Sequence, residues 1–163
     1  MVRIRRIPQT GLRIQARMET PHRVAVAVGD RAIKLDMPKL LGGTHKGIMP
    51  LEALLAAYAG SLNVTGNFVA HTTDFDLRHW QFTVWAEFDP SGIWGLHKVG
   101  KPIHVVHLEA QVTTPESERR LTQLRKQMAE RDPIHQVLKR AGVRFQEKWT
   151  RVEPNDSGKK ARK

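Results

Sequence analysis

"PLEALLAAYAGSLNVTGNFVA", residues 50–70, decides the fold. Pro50 suits the first position of a helix, where a missing N–H costs nothing. Glu52 falls in the first turn, where the helix dipole favours a carboxylate. Leu51, Leu54, Leu55, Tyr58, Leu62 and Val69, with alanines between them, make the segment apolar on most sides. A helix that is apolar nearly all round is buried all round. In a chain of 163 residues a second copy is the expected cover, giving a homodimer, and Gly60 and Gly66 would permit close approach. Ser61 is a small hydroxyl residue in the middle of this run, where the pattern would accept an apolar side chain.

Working outward, "MPKLLGGTHKGIMP" precedes the helix as a loop punctuated by proline and glycine. Before it, residues 2–7, 11–17 and 22–28 and the stretch "AIKLD" read as a meander of about four short strands. After it, "HWQFTVWAEFD" alternates cleanly: Trp80, Phe82, Val84, Ala86 and Phe88 share one face. "DPSG" turns the chain, and "HVVHLEAQV" places Val106, Leu108, Ala110 and Val112 on one side. Thr114 is expected to cap a helix opened by Pro115, with Leu121, Leu124 and Met128 as its apolar stripe. "RDPIHQVL" breaks that helix, because the residue before a proline avoids helical geometry. Asp132 then caps a second helix that Gly142 closes, and "VRFQEKWTRV" is a last strand. The fold class is α+β. The expected organisation is one domain over residues 1–152, followed by a basic tail, 153–163, expected to be disordered.

The bulk numbers set limits. Hydrophobic residues make up 40% and charged residues 26%, which suits a globular core. No apolar run is long enough to span a bilayer, so no membrane partner is expected. The basic N-terminal stretch lacks the apolar segment of a secretory signal, so the expected location is cytoplasmic. There is no cysteine, which removes disulfides, thiolate metal sites and thiol redox chemistry. The net charge is +11, distributed as +6, −2, +5 and +2 over residues 1–35, 36–114, 115–152 and 153–163. Such charge predicts at most weak, non-specific nucleic-acid affinity with a steep salt dependence, since no recognition motif accompanies it.

Three stretches in order, "MPKLLGGTHKGIMPLEALLAAYAGS", "WQFTVWAEFDPSG…IHVVHLEAQVTT" and "SERRLTQLRKQMAERDPIHQVL", resemble the family of osmotically inducible protein C and the organic hydroperoxide resistance proteins. The resemblance covers roughly residues 22–152. It implies an OsmC-like fold and an intertwined homodimer, with central helices packed together and curved sheets around them. It also implies a thiol peroxidase site with two cysteines. One stands eleven residues after the proline that opens the central helix, and that count from Pro50 lands on Ser61. The other directly precedes the proline of the short second helix, the place of Asp132. A serine has no equivalent of the sulfenic-acid chemistry that a thiolate performs. The peroxidase activity that the resemblance implies is therefore not expected, and no cofactor is. The family's carboxylate directly follows the helix-opening proline. Leu51 holds that place here, and Glu52 comes one residue later, about 100° round the helix. For the family's substrate-binding arginine, Arg17 and Arg23 are the candidates.

Three further sites were weighed on the residues alone. Ser61, Asp132 and His135 could form a hydrolase constellation, but no nucleophile elbow surrounds Ser61. The plainer alternative has Ser61 bonding back to a helix carbonyl and Asp132 serving only as a cap. His104 and His107, three apart on a strand, point to opposite faces and would chelate a metal poorly, and His71 and His79 add no ligand spacing. "GGTHKG", with His45 and Lys46, could hold an anion on exposed amides or could be only a turn. The leading reading is a cysteine-less family member that binds a small, partly apolar molecule at its dimer interface. A Ser61 hydrolase and a basic nucleic-acid-associated protein are the alternatives.

Overall fold

The alternation and capping signals describe a chain whose computed structural model covers residues 10–155. The expected strand 2–7 and the tail from 156 onward lie outside those residues. Backbone contacts gather into two compact units, Met1–Ala53 and Leu54–Lys163.

The first unit carries a three-stranded antiparallel sheet in the order β1 (Gln15–Thr20), β2 (Arg23–Val28), β3 (Arg31–Asp36). The first of these starts later than the expected 11–17. The turn between β2 and β3 is two residues long, and Gly29 opens it at φ +62°, a conformation that favours glycine. Beyond β3, the backbone N–H of Asp36 donates to the carbonyl of Ile48 at 3.0 Å, so the loop folds back on the strand that precedes it.

Helix α1 runs from Pro50 to Thr72. Within the second unit its Tyr58, Leu62, Val69 and Ala70 join a core built with Val106, Leu108 and Val112 of a second sheet and with Leu121, Leu124 and Met128. Gly66 is required there: a Cβ at that position would stand 1.9 Å from the Trp80 ring and 2.8 Å from the Met128 methyl. The helix is not covered on every side, however. Val64 is 69% exposed and Phe68 52%, on the same flank as Ala57 and Gly60.

The second sheet has the order β4 (His79–Phe88), β5 (Ile103–Thr113), β6 (Arg144–Val152). β4 and β5 are antiparallel, while β6 runs parallel to β5, with Val106 opposite Phe145 and Ala110 opposite Trp149. The parallel pairing follows from the crossover through α2 (Glu118–Arg131) and α3 (Pro133–Arg140), which returns the chain to the same end of the sheet. Central β5 is the most buried strand.

The expected cap of α2 is corrected. Ser117, not Thr114, is the N-cap, and its side chain accepts from the Arg120 amide at 3.3 Å. Thr114 continues the sheet instead, since its amide donates to Val152 O at 3.0 Å. Its buried hydroxyl donates to Asp76 O at 2.6 Å and accepts from the Glu116 amide at 3.1 Å, which closes the turn ahead of α2 rather than the helix itself. No described helix is long and apolar enough to cross a membrane.

Candidate functional site

The residues that matter most in the second unit come from three elements. α1 supplies Tyr58 and Ser61, one turn apart on the same side of the helix. The α2–α3 break supplies Asp132, and the first turn of α3 supplies His135. The break exists because Pro133 bars Asp132 from helical geometry, and Asp132 sits at φ −69°, ψ 118°.

The Ser61 hydroxyl donates to Asp132 Oδ2 at 2.7 Å. The other carboxylate oxygen, Oδ1, accepts from the His135 amide at 2.7 Å and so caps α3. Asp132 has no exposed surface. Ser61 is thus tied to a residue 71 positions away in sequence, rather than bonded back to a carbonyl of its own helix.

The His135 imidazole is directed elsewhere. Its Nδ1 lies 3.3 Å from the Tyr58 hydroxyl, and its ring stacks on Phe145 at 4.1 Å. Burial holds the His135 pKa below its ordinary value, against the pull of Glu147 and Asp132, and Lys139 adds to the lowering. Burial likewise drives the Tyr58 phenol well above its ordinary value, with the charges of Glu147 and Asp132 adding to it. Both groups are therefore neutral near pH 7. A serine hydrolase needs a base near neutrality on the nucleophile's hydroxyl. Here the imidazole faces Tyr58 and Phe145, and the group on Ser61 is a carboxylate already committed to a cap.

Arg23 donates to Glu19 Oε2 at 2.7 Å and to Thr44 Oγ1 at 2.6 Å. Arg17 is exposed on β1, opposite Ala25. The Glu52 carboxylate accepts from the Met49 amide at 2.7 Å and closes the start of α1.

The "GGTHKG" loop does hold an anion, but it belongs to the chain itself. The buried Asp36 carboxylate accepts from the amides of Met37 (2.9 Å), Thr44 (3.2 Å) and Lys46 (2.9 Å), and from the Thr44 hydroxyl at 2.5 Å. Sequence reasoning missed Asp36, although an Asp eight residues before a loop threonine was there to be seen. Burial alone would raise its pKa. The hydrogen bonds from Thr44, Lys46 and Met37 outweigh it and hold the group far below the usual carboxylate range. A depressed folded pKa means stability that is present above the unfolded value of about 4 and is lost as pH falls below it. Urea unfolding between about pH 4 and pH 2 should therefore show a midpoint that falls with acid, and Asp36→Asn should flatten that fall. An unchanged slope in the variant would assign the acid sensitivity to other groups.

His104 is exposed, and His107 stacks on Trp85 with centroids 4.8 Å apart. His107 Nε2 lies 3.6 Å from Glu87 Oε1, beyond hydrogen-bond reach. Among the described residues no three His, Cys, Asp or Glu side chains gather as a metal set.

A long helix against a sheet, a helix broken at an Asp-Pro pair, and two polar side chains meeting at that break define an α+β protein of the OsmC-like kind. The family model described as OsmC-like protein matches residues 43–148, and the chain belongs to that family. Solved structures share the fold. An OsmC-like protein from Mycoplasma pneumoniae superposes with a TM-score of 0.75 at 20% identity, covering 89% of this chain and 99% of that one. An organic hydroperoxide resistance protein OsmC from Legionella pneumophila gives 0.69 at 19% identity, covering 88% and 99%. The organic hydroperoxide resistance protein OhrB of Bacillus subtilis gives 0.57 at 18%, covering 86% and 98%. No curated protein sequence matches the chain.

Proposed function

We propose that this chain is an OsmC-fold homodimer that has left thiol chemistry and binds a small, partly apolar molecule beside Ser61 and Asp132. The observation that carries the reading is the 2.7 Å hydrogen bond between those two side chains. They are the positions that the resemblance assigns to the peroxidatic and resolving thiols, and they adjoin as such a pair must. An oxygen pair there can orient a polar group but cannot pass through a sulfenic acid and a disulfide. The OsmC-like domain is taken as residues 1–152, with 153–163 as a tail, and the setting is a stress response in the cytoplasm by family analogy.

The uncovered flank of α1, with Val64 and Phe68, supports the homodimer. Light scattering at micromolar concentration should return twice the chain mass, and a monomer would end that part of the reading.

The chemical part has a sharper test. The purified protein should not reduce an organic hydroperoxide with a dithiol as electron donor. Ser61→Cys with Asp132→Cys should form an intramolecular disulfide on mild oxidation, seen as a loss of two hydrogens by intact mass, and should gain some turnover. If that pair stays reduced, the assignment of the two thiol positions fails. Turnover by the unmodified protein would refute the loss of peroxidase activity directly.

A further inference from the structure

We propose that the loop joining β4 to β5, residues 89–102, docks the protein peripherally on anionic lipid surfaces. Ile93, Trp94 and Leu96 stand within four positions of one another and are 68%, 56% and 74% exposed. Single exposed apolar residues are ordinary, but three large ones side by side are not.

The loop holds them out in a built conformation. The Asp89 amide donates to Pro102 O at 2.8 Å and closes the base. The Asp89 side chain caps Ser91 N at 2.9 Å. The amides of Ile93 and Leu96 donate to Pro90 O and Ser91 O, each at 3.0 Å. Gly95, at φ +66°, makes the turn between Trp94 and Leu96. Backbone bonding of this density keeps the apolar groups presented rather than folded under.

The fixed charge around them is net positive. From 89 to 104 the only acidic residue is Asp89, which is committed to Ser91 and lies 3.7 Å from His97. Lys98 and Lys101 are the fixed cations of the segment. The Lys101 side chain folds over Gly142, which brings the loop beside the C-terminal turn of α3 with its Lys139 and Arg140. An apolar apex with an indole and a collar of lysine and arginine is the combination that partitions into a headgroup region of negative charge. Trp suits it doubly, with an apolar body and one N–H for the interface. Lipid is favoured over a nucleic acid because phosphate backbones do not reward exposed Ile and Leu. No described helix is long and apolar enough to cross a membrane, and this contact needs none.

The test uses the full chain with vesicles of phosphatidylcholine alone, or of equal parts phosphatidylcholine and phosphatidylglycerol. At physiological salt the protein should pellet with the anionic vesicles and not the neutral ones. The triple change Ile93→Ser, Trp94→Ser, Leu96→Ser keeps every charge and should weaken pelleting at least tenfold. Lipids carrying a shallow nitroxide should quench the wild-type indole fluorescence, and Trp94→Phe should lose most of that quenching. Equal pelleting of the triple variant would mean that the +11 charge alone binds lipid, and the proposal would fall. It would fall equally if the triple variant changed the mass of the assembly, because the loop would then be a contact between copies.

Discussion

Asp132→Ala is expected to lower the thermal midpoint by roughly 5 °C. Removing an N-cap alone costs about 1 kcal/mol. Asp132, however, serves two donors from full burial: the His135 amide and the Ser61 hydroxyl, each at 2.7 Å. The Ser61 hydroxyl can rotate toward a carbonyl of α1, but the His135 amide is left buried without an acceptor. Because that amide is buried, the loss of the cap costs on the order of 1–3 kcal/mol here. In a chain of this size each kcal/mol moves the midpoint by about 2–4 °C. Asp132→Asn keeps an acceptor for the amide and can donate to Ser61, so its cost should stay near 1 kcal/mol. Differential scanning fluorimetry on both variants decides the matter. Equal and large losses would mean that the negative charge, rather than the hydrogen bonds, is what the site requires.

Tyr58→Ala should cost about 3–5 kcal/mol, the range for emptying a buried aromatic position. Tyr58 has no exposed surface, and its ring packs on Phe145 with centroids 5.6 Å apart. Tyr58→Phe keeps the ring and removes only the partner of His135 Nδ1, so about 1 kcal/mol is expected. Urea midpoints with an unchanged m-value would show that stability, and not compactness, has moved. If the Phe variant lost as much as the Ala variant, the hydroxyl and not the ring would hold this corner of the core. His135 adds a pH dependence of definite sign. Its folded pKa lies below the unfolded value of about 6.5. Its contribution is complete above that value and is lost as pH falls through it.

Much of this architecture was legible because it rests on local rules. The period-two alternation of β4 survives intact, from Trp80 and Phe82 inward to Gln81 and Thr83 outward. Pro50 and the Asp-Pro pair at 132–133 mark helix starts through sterics that act between neighbouring residues. The absence of cysteine ruled out thiol chemistry without any coordinates. The expected Thr114 cap falls three residues early because partners remote in sequence keep Thr114 with the sheet: its amide donates to Val152 O and its hydroxyl to Asp76 O, each 38 residues away. Burial of α1 was foreseen with a second copy as part of its cover, and a single chain leaves Val64 and Phe68 in the open.

Covalent order is enough for the elements and most of their limits, for the α+β class and for the chemistry that no residue can perform. Which distant polar groups share a hydrogen bond depends instead on packing. Whether Ser61 bonds its own helix or Asp132 is settled by where the α2–α3 break falls against α1. Whether the 42–47 loop holds an outside anion is settled by the end of β3, which puts Asp36 among its amides first. The direction of β6 depends on the crossover through α2 and α3. Each of these is a competition among partners remote in sequence, won by whichever the packing of the core brings within about 3 Å.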